Sequence, residues 1–187
     1  MIYGLPTCLE VNGTDYPIRY EYTAVLDIIE SLNDPDLEDK EKALCVMYIL
    51  YETFEDIPKE DYQEAFEKAL AFIDNGVKDT KKKNNVRLVD FEQDASLMFP
   101  AINRVAGREI RNDEDIHWWT FLGWFMEIGE CAYSQVLNIR SKRSKGKKLE
   151  KWEEEYYREN KKIVDIQVKL SQEEQDELEE LKKLLDG

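Results

Sequence analysis

Apolar residues recur along most of this chain three or four positions apart, the spacing of one helical face, and alternate strictly only near the start. Residues 7–11 and 14–18 are short alternating runs around Asn12-Gly13, a pair that tolerates positive φ, so they predict a β-hairpin. Pro17 cannot donate to a ladder, which makes its strand an edge or ends it early. A lone hairpin is marginal in water and is expected to pack on helices. A first helix follows over 23–32, with Val25, Leu26, Ile28, Ile29 and Leu32 inward. A second over 37–54 is expected to bury Leu44, Met47, Tyr48, Leu50 and Tyr51. Pro58 suits the first position of a third, which carries Tyr62, Phe66, Ala69, Leu70 and Ile73 and ends near Asn75-Gly76. Residues 77–87 read as a loop. Asp90 to Gln93 has a capping-box-like spacing that predicts a fourth helix, kinked or split by Pro100 and closed by Gly107.

The longest periodic stretch predicts a central helix over about 113–140, capped by Asn112 or Asp113. Trp118, Phe121, Leu122, Phe125, Ile128, Ala132, Val136 and Ile139 form its stripe, while Trp119, Trp124 and Met126 lie off it. Its first half is thus apolar nearly all round, as in a buried helix. Ser141, Ser144 and Gly146 break or fray it. Residues 149–162 read as helical, and 163–170 fit either a short strand or a helix. Ser171 with Glu174 forms a capping box that opens a last helix with Leu178, Leu181 and Leu185 on one stripe. From Leu149 onward there are too few apolar positions for a separate core, so this region docks on the body or projects and pairs with another chain. The expected fold is mainly α, a multi-helix domain around the long central helix, with an N-terminal β-hairpin. Residues 1–145 would form the core domain and 146–187 a charged C-terminal helical extension.

Charge changes this picture in one respect. The formal net charge of the 187 residues is −15, from 41 acidic and 26 basic side chains. Yet residues 78–87 hold five Lys/Arg against one Asp, and 140–151 hold seven against one Glu. The acidic excess disfavours general nucleic-acid or anionic-membrane binding, and neither basic segment has the interleaved aromatics that stack on bases. Three well-separated cysteines and no leader-like start suggest reduced thiols in a cytoplasm. The longest apolar stretch, 116–126, is short of the roughly 20 residues a membrane span needs.

Candidate chemistry is sparse. Glu114 and His117 have the Glu-x-x-His spacing of carboxylate-bridged di-iron bundles, but those need two such motifs and the chain has one histidine. The alternative is that His117 simply starts a helix. No Gly-x-Ser-x-Gly, phosphate-cradling glycine loop or clustered zinc ligands occur, so neither an enzyme, a cofactor nor a metal is expected. Gly123 and Gly129 each cost about 1 kcal/mol inside a helix and mark close approaches. Gly129 reads as a crossing within the monomer, and Gly123 as a place for a partner helix. Trp119, Gly123, Trp124 and Arg140 are the candidate partner-binding residues, the two tryptophans inward for most of their surface.

Several segments, in order, resemble a family of small proteins from tailed bacteriophages and prophages of Gram-positive bacteria, encoded just before the tape-measure protein. They are Leu5-Pro6, the Asn12-Gly13 hairpin and Tyr16-Pro17-Ile18-Arg19; Val89-Asp90-Phe91-Glu92-Gln93-Asp94-Ala95 followed by Phe99; and Ile116-His117-Trp118-Trp119-Thr120-Phe121. Ile139-Arg140 before the lysine-rich segment and Tyr156-Tyr157-Arg158 complete the pattern, whereas the tail past Lys162 departs from it. The resemblance implies a non-enzymatic tail assembly chaperone in the bacterial host's cytoplasm. It would keep the tape-measure protein soluble and help recruit tail-tube subunits, with homo-oligomerisation open. A structural component of the tail or connector is the alternative, and a nucleic-acid-associated regulator using residues 140–151 is the third.

Overall fold

In the computed structural model, which describes residues 4–75, 87–113 and 115–185, two short strands open the chain and the remaining regular structure is helical. The predicted mainly α fold with an N-terminal hairpin and C-terminal helices is what is seen. The chain divides into two compact units, Met1–Gly76 with Val168–Gly187, and Val77–Gln167. The expected division at 145/146 is therefore not the one the contacts draw, because the segment after Gly146 contributes to both units.

In the first unit, β1 (Cys8–Val11) pairs antiparallel with β2 (Thr14–Pro17), Leu9 opposite Tyr16 and Val11 opposite Thr14. Asn12 and Gly13 take φ of 48° and 79°, the positive values a two-residue hairpin turn needs. Pro17 is the last residue of its strand, as expected. Helix α1 (Tyr22–Leu32) buries Tyr22, Val25 and Ile28. Helix α2 (Asp39–Leu50) begins at a reciprocal cap between Glu38 and Glu41. It ends four residues before the predicted 54, because Tyr51 turns extended and bridges Ile18. The Arg19 guanidinium closes that end, donating to the carbonyls of Tyr48, Ile49 and Tyr51 at 3.2, 2.8 and 3.2 Å. A cation there also suits the negative end of the helix dipole. Two 3-10 turns, Phe54–Asp56 and Lys59–Asp61, lead into α3 (Tyr62–Ile73).

One expected core assignment is corrected here. In α2, Val46, Met47 and Leu50 are buried, whereas Leu44 and Tyr48 are 49% and 62% exposed. Met47 and Leu50 already fill the seam towards neighbours α1 and α3, which leaves Leu44 and Tyr48, one turn apart, on an outward face. In α3 the fully buried positions are Ala65, Ala69 and Phe72, with Tyr62, Phe66, Leu70 and Ile73 half-buried. Small alanines let the helix sit close, so its larger side chains flank the contact.

The second unit contains α4 (Ala95–Ala106), α5 (Trp118–Met126), α6 (Ala132–Ser144), α7 (Lys151–Glu159) and α8 (Lys161–Val164). Asp90 starts a turn rather than α4 itself: its Oδ1 accepts the amides of Glu92 and Gln93 at 3.1 and 2.9 Å, and the helix begins at Ala95. Pro100 lies inside α4 without splitting it, and Gly107, at φ 71°, closes it. The predicted loop at 77–87 falls outside the described residues except for Arg87.

The long central helix of 113–140 does not exist as one element. It starts at Trp118, with His117 rather than Asn112 or Asp113 as its cap: the imidazole Nδ1 accepts the Trp119 amide at 3.0 Å. Glu114, the other half of the Glu-x-x-His spacing, lies outside the described residues. At Glu127 the helix stops, and α6 starts at Ala132 behind a reciprocal cap between Cys131 and Ser134. Gly129 sits between them at φ 59°, a turn glycine rather than a helix crossing. The Arg104 guanidinium of α4 fastens this turn by donating to the Ile128 and Glu130 carbonyls. The ambiguous 163–170 segment is neither all helix nor strand. It leaves α8 at Val164 and runs irregularly to Ser171. Ser171 and Glu174 then make the predicted capping box, and α9 (Gln172–Leu185) follows in the first unit.

Candidate partner-binding surfaces

Between α2 and α3 lies an open groove of about 430 Å³. Lys40, Ala43, Leu44 and Met47 line it from α2 at the i, i+3, i+4, i+7 positions of a single face. Tyr62, Gln63 and Phe66 line it from α3. Tyr62 is held by Phe54, whose ring lies 5.1 Å away, and Phe54 meets Tyr48 edge-on at 6.1 Å. The result is an apolar trough with an aromatic wall and one lysine, the form that accepts the apolar stripe of a helix. Sequence reasoning missed this site because it assigned Leu44 and Tyr48 to the core. The available signal was that α2 carries apolar residues on more than one face, more than a helix buried on one side needs.

The predicted residues lie elsewhere, in the second unit, and fall into two kinds. Trp119, Gly123 and Met126 follow one face of α5 at i, i+4, i+7. Gly123 is exposed with nothing within 4 Å of where a Cβ would stand, and Met126 is 68% exposed. Trp119 and Trp124 are half-buried, in keeping with rings that turn most of their surface inward. On the other side of the helix Trp118 and Phe121 stack at 5.6 Å, and both meet Phe91.

Arg140 is of the other kind: it is interior, not offered to a partner. Its guanidinium grips the Asp94 carboxylate with both arms, at 2.6 and 2.8 Å, with side chains 5% and 1% exposed. It also donates to the carbonyls of Leu88, Ile163 and Val164 at 2.8, 2.9 and 2.6 Å. Asp94 further accepts the Tyr133 hydroxyl at 3.1 Å and the Asp90 amide at 3.0 Å. Burial, and then the adjacent Asp94 charge, push the Tyr133 hydroxyl well above the usual tyrosine range. Every arm of the pair is thus matched, as a buried charge requires. Gln93 completes a clasp on the same strand of chain: its amide donates to the Asp165 carbonyl at 3.0 Å and accepts the Gln167 amide at 3.0 Å. The Asp-Phe-Glu-Gln-Asp segment therefore reads as one device. Asp90 makes the turn, Phe91 anchors the aromatics, Gln93 holds residues 165–167, and Asp94 receives Arg140.

The basic segment of 140–151 is likewise partly spent inside the unit. Lys142 meets buried Glu153 at 2.6 Å, and Arg143 lies over the Tyr157 ring at 3.8 Å. Desolvation opposes charge on Glu153, but hydrogen bonds from Lys142, the Glu150 amide and Asn138 outweigh it and lower its pKa. Among the described residues no group of three or more His, Cys, Asp or Glu is placed to hold a metal ion. Among them, too, no helix is long and apolar enough to cross a membrane.

Residues 1–166 match the model of a protein family described as Bacteriophage Gp15 protein, and the chain belongs to that family. The match ends where the tail begins to depart from the pattern. No curated protein and no solved structure matches the chain.

Proposed function

We propose, from membership of the bacteriophage Gp15 family, that this chain is a non-enzymatic tail assembly chaperone that binds the phage tape-measure protein in the host cytoplasm and aids tail-tube assembly. The observation that carries the reading is the α2–α3 groove, an apolar trough left open on an otherwise highly charged molecule. A long helical client presents apolar stripes that aggregate when exposed. A groove lined by Leu44, Met47, Tyr62 and Phe66 covers such a stripe, and the surrounding acidic surface keeps the complex dissolved. The face of α5 that carries Trp119, Gly123 and Met126, with half-buried Trp124 beside it, offers a second contact, Gly123 admitting a close backbone approach. The internal engagement of Arg140, Lys142 and Arg143 weighs against a nucleic-acid role for that segment.

Co-expression with the tape-measure protein tests the reading. The client should become soluble and co-purify, and Leu44→Glu should reduce that recovery; no complex and no gain in solubility would sink it. Mass spectrometry of purified particles separates the chaperone from a structural tail component, since stoichiometric retention in the particle contradicts a chaperone that leaves.

A further inference from the structure

We propose that the α2–α3 groove accepts helix α9 from a second copy of this chain, so that two copies exchange their C-terminal helices. The proposal goes beyond the chaperone reading: it gives the groove an occupant from the chain itself, which the apolar stripe of a client has to displace. Helix α9 is tethered at its start: Lys169 meets Glu30 at 3.2 Å, and the Gln172 amide donates to Asp36 at 2.9 Å. Beyond that first turn Leu178 and Leu181 stand 43% and 56% exposed, on a stripe that the sequence continues to Leu185. An i, i+3, i+7 leucine stripe on a helix of about 21 Å suits a trough between two helices.

Among the described residues the groove is lined from α2 and α3, and the chain's own α9 does not line it. Charge favours the same occupant: Lys40 is the charged side chain lining the groove, and the sequence of α9 carries six acidic residues against two lysines. Each copy carries one groove and one helix, so a twofold exchange closes on itself and leaves neither exposed. Residues 167–187 lie beyond the family match, which makes the exchange a property of this chain's extension.

The test uses the full chain, sized by light scattering across a concentration series. A dimer that dissociates on dilution is expected. Leu44→Glu, which spoils the groove, and Leu178→Glu with Leu181→Glu, which spoils the helix, should each give a monomer with unchanged circular dichroism. An equimolar mixture of the two should recover a heterodimer, since one intact groove then meets one intact helix. A wild-type monomer at every concentration overturns the proposal. So does a dimer that survives Leu44→Glu, the result expected if the helices pair with each other, and so does failure of the mixture to associate.

Discussion

Around Val25 and Ile28 the first unit is filled with side chains that ask nothing of their neighbours except shape, while around Asp94 the second is filled with charges that must each find a partner. All five buried polar or charged residues among those described, Asp90, Asp94, His117, Arg140 and Glu153, belong to the second unit. In the first, the corresponding interior is Val11, Ile18, Val25, Ile28, Val46, Leu50 and Phe72 with buried tyrosines, of which Tyr51 donates its hydroxyl to the Ala65 carbonyl at 2.8 Å. The difference follows from what each must hold. The first unit joins a hairpin to regular helices, whose backbone groups are satisfied internally except at the end of α2 that Arg19 closes, and apolar burial does the rest. The second must fix irregular chain at 88–94 and the end of α8 with residues 165–167, and side chains supply the hydrogen bonds that no ladder does.

The two interiors should therefore break differently. All four tryptophans lie in the second unit, so their fluorescence reports it, while amide hydrogen exchange in α1 and α2 reports the first. Arg140→Ala leaves Asp94 buried and unpaired and should cost about 3–5 kcal/mol in urea unfolding followed by fluorescence. Replacing both partners together, Arg140→Met with Asp94→Leu, should recover part of that loss. An unmoved transition in the single variant would erase the contrast between the units. Ile28→Ala, a cavity in an apolar interior, should cost about 2–5 kcal/mol, read by exchange in α1 and insensitive to salt.

Acid separates the units by sign. Glu153 has a lowered pKa, so its contribution is present above the unfolded value of about 4.3 and is lost as pH falls through its folded value. Asp27 in α1 is shifted the other way, raised by burial and by the Glu30 charge. Its proton is held more tightly in the folded state, which favours the first unit at low pH. On acidification below about pH 4 the fluorescence transition should precede loss of exchange protection in α1, and the reverse order would contradict the assignment. The smallest effect is a gain: Gly123→Ala meets open space on a helix and should add up to about 1 kcal/mol, read by fluorescence.

Much of the architecture was legible in the chain. Asn12-Gly13 encodes its hairpin because few residue pairs accept two positive φ values, and Ser171 with Glu174 encodes a helix start because the cap is closed within four residues. Local chemistry of this kind needs no distant partner. The helix break after Glu127 was half-legible, in Gly129 and the Cys131–Ser134 spacing, but an unbroken apolar stripe across 118–139 argued against it. Arg104, 24 residues away in sequence, supplies the donor to the Ile128 carbonyl that holds the turn open.

Periodicity says that a helix is apolar on a face; it does not say which neighbour covers that face. Leu44 and Arg140 were misplaced for that one reason, in opposite directions. Leu44 lies on an apolar face that no neighbouring element among the described residues covers, and a groove results. Arg140 sits in a basic run that looks solvated, yet Asp94, 46 residues earlier, draws it inside. Sequence by itself determined the mainly helical class, the hairpin, the cap at Ser171 and the kinship with a phage family. Which apolar face stays open, and which charges are buried, only tertiary structure decided, since both depend on partners that the chain brings close from far along its length.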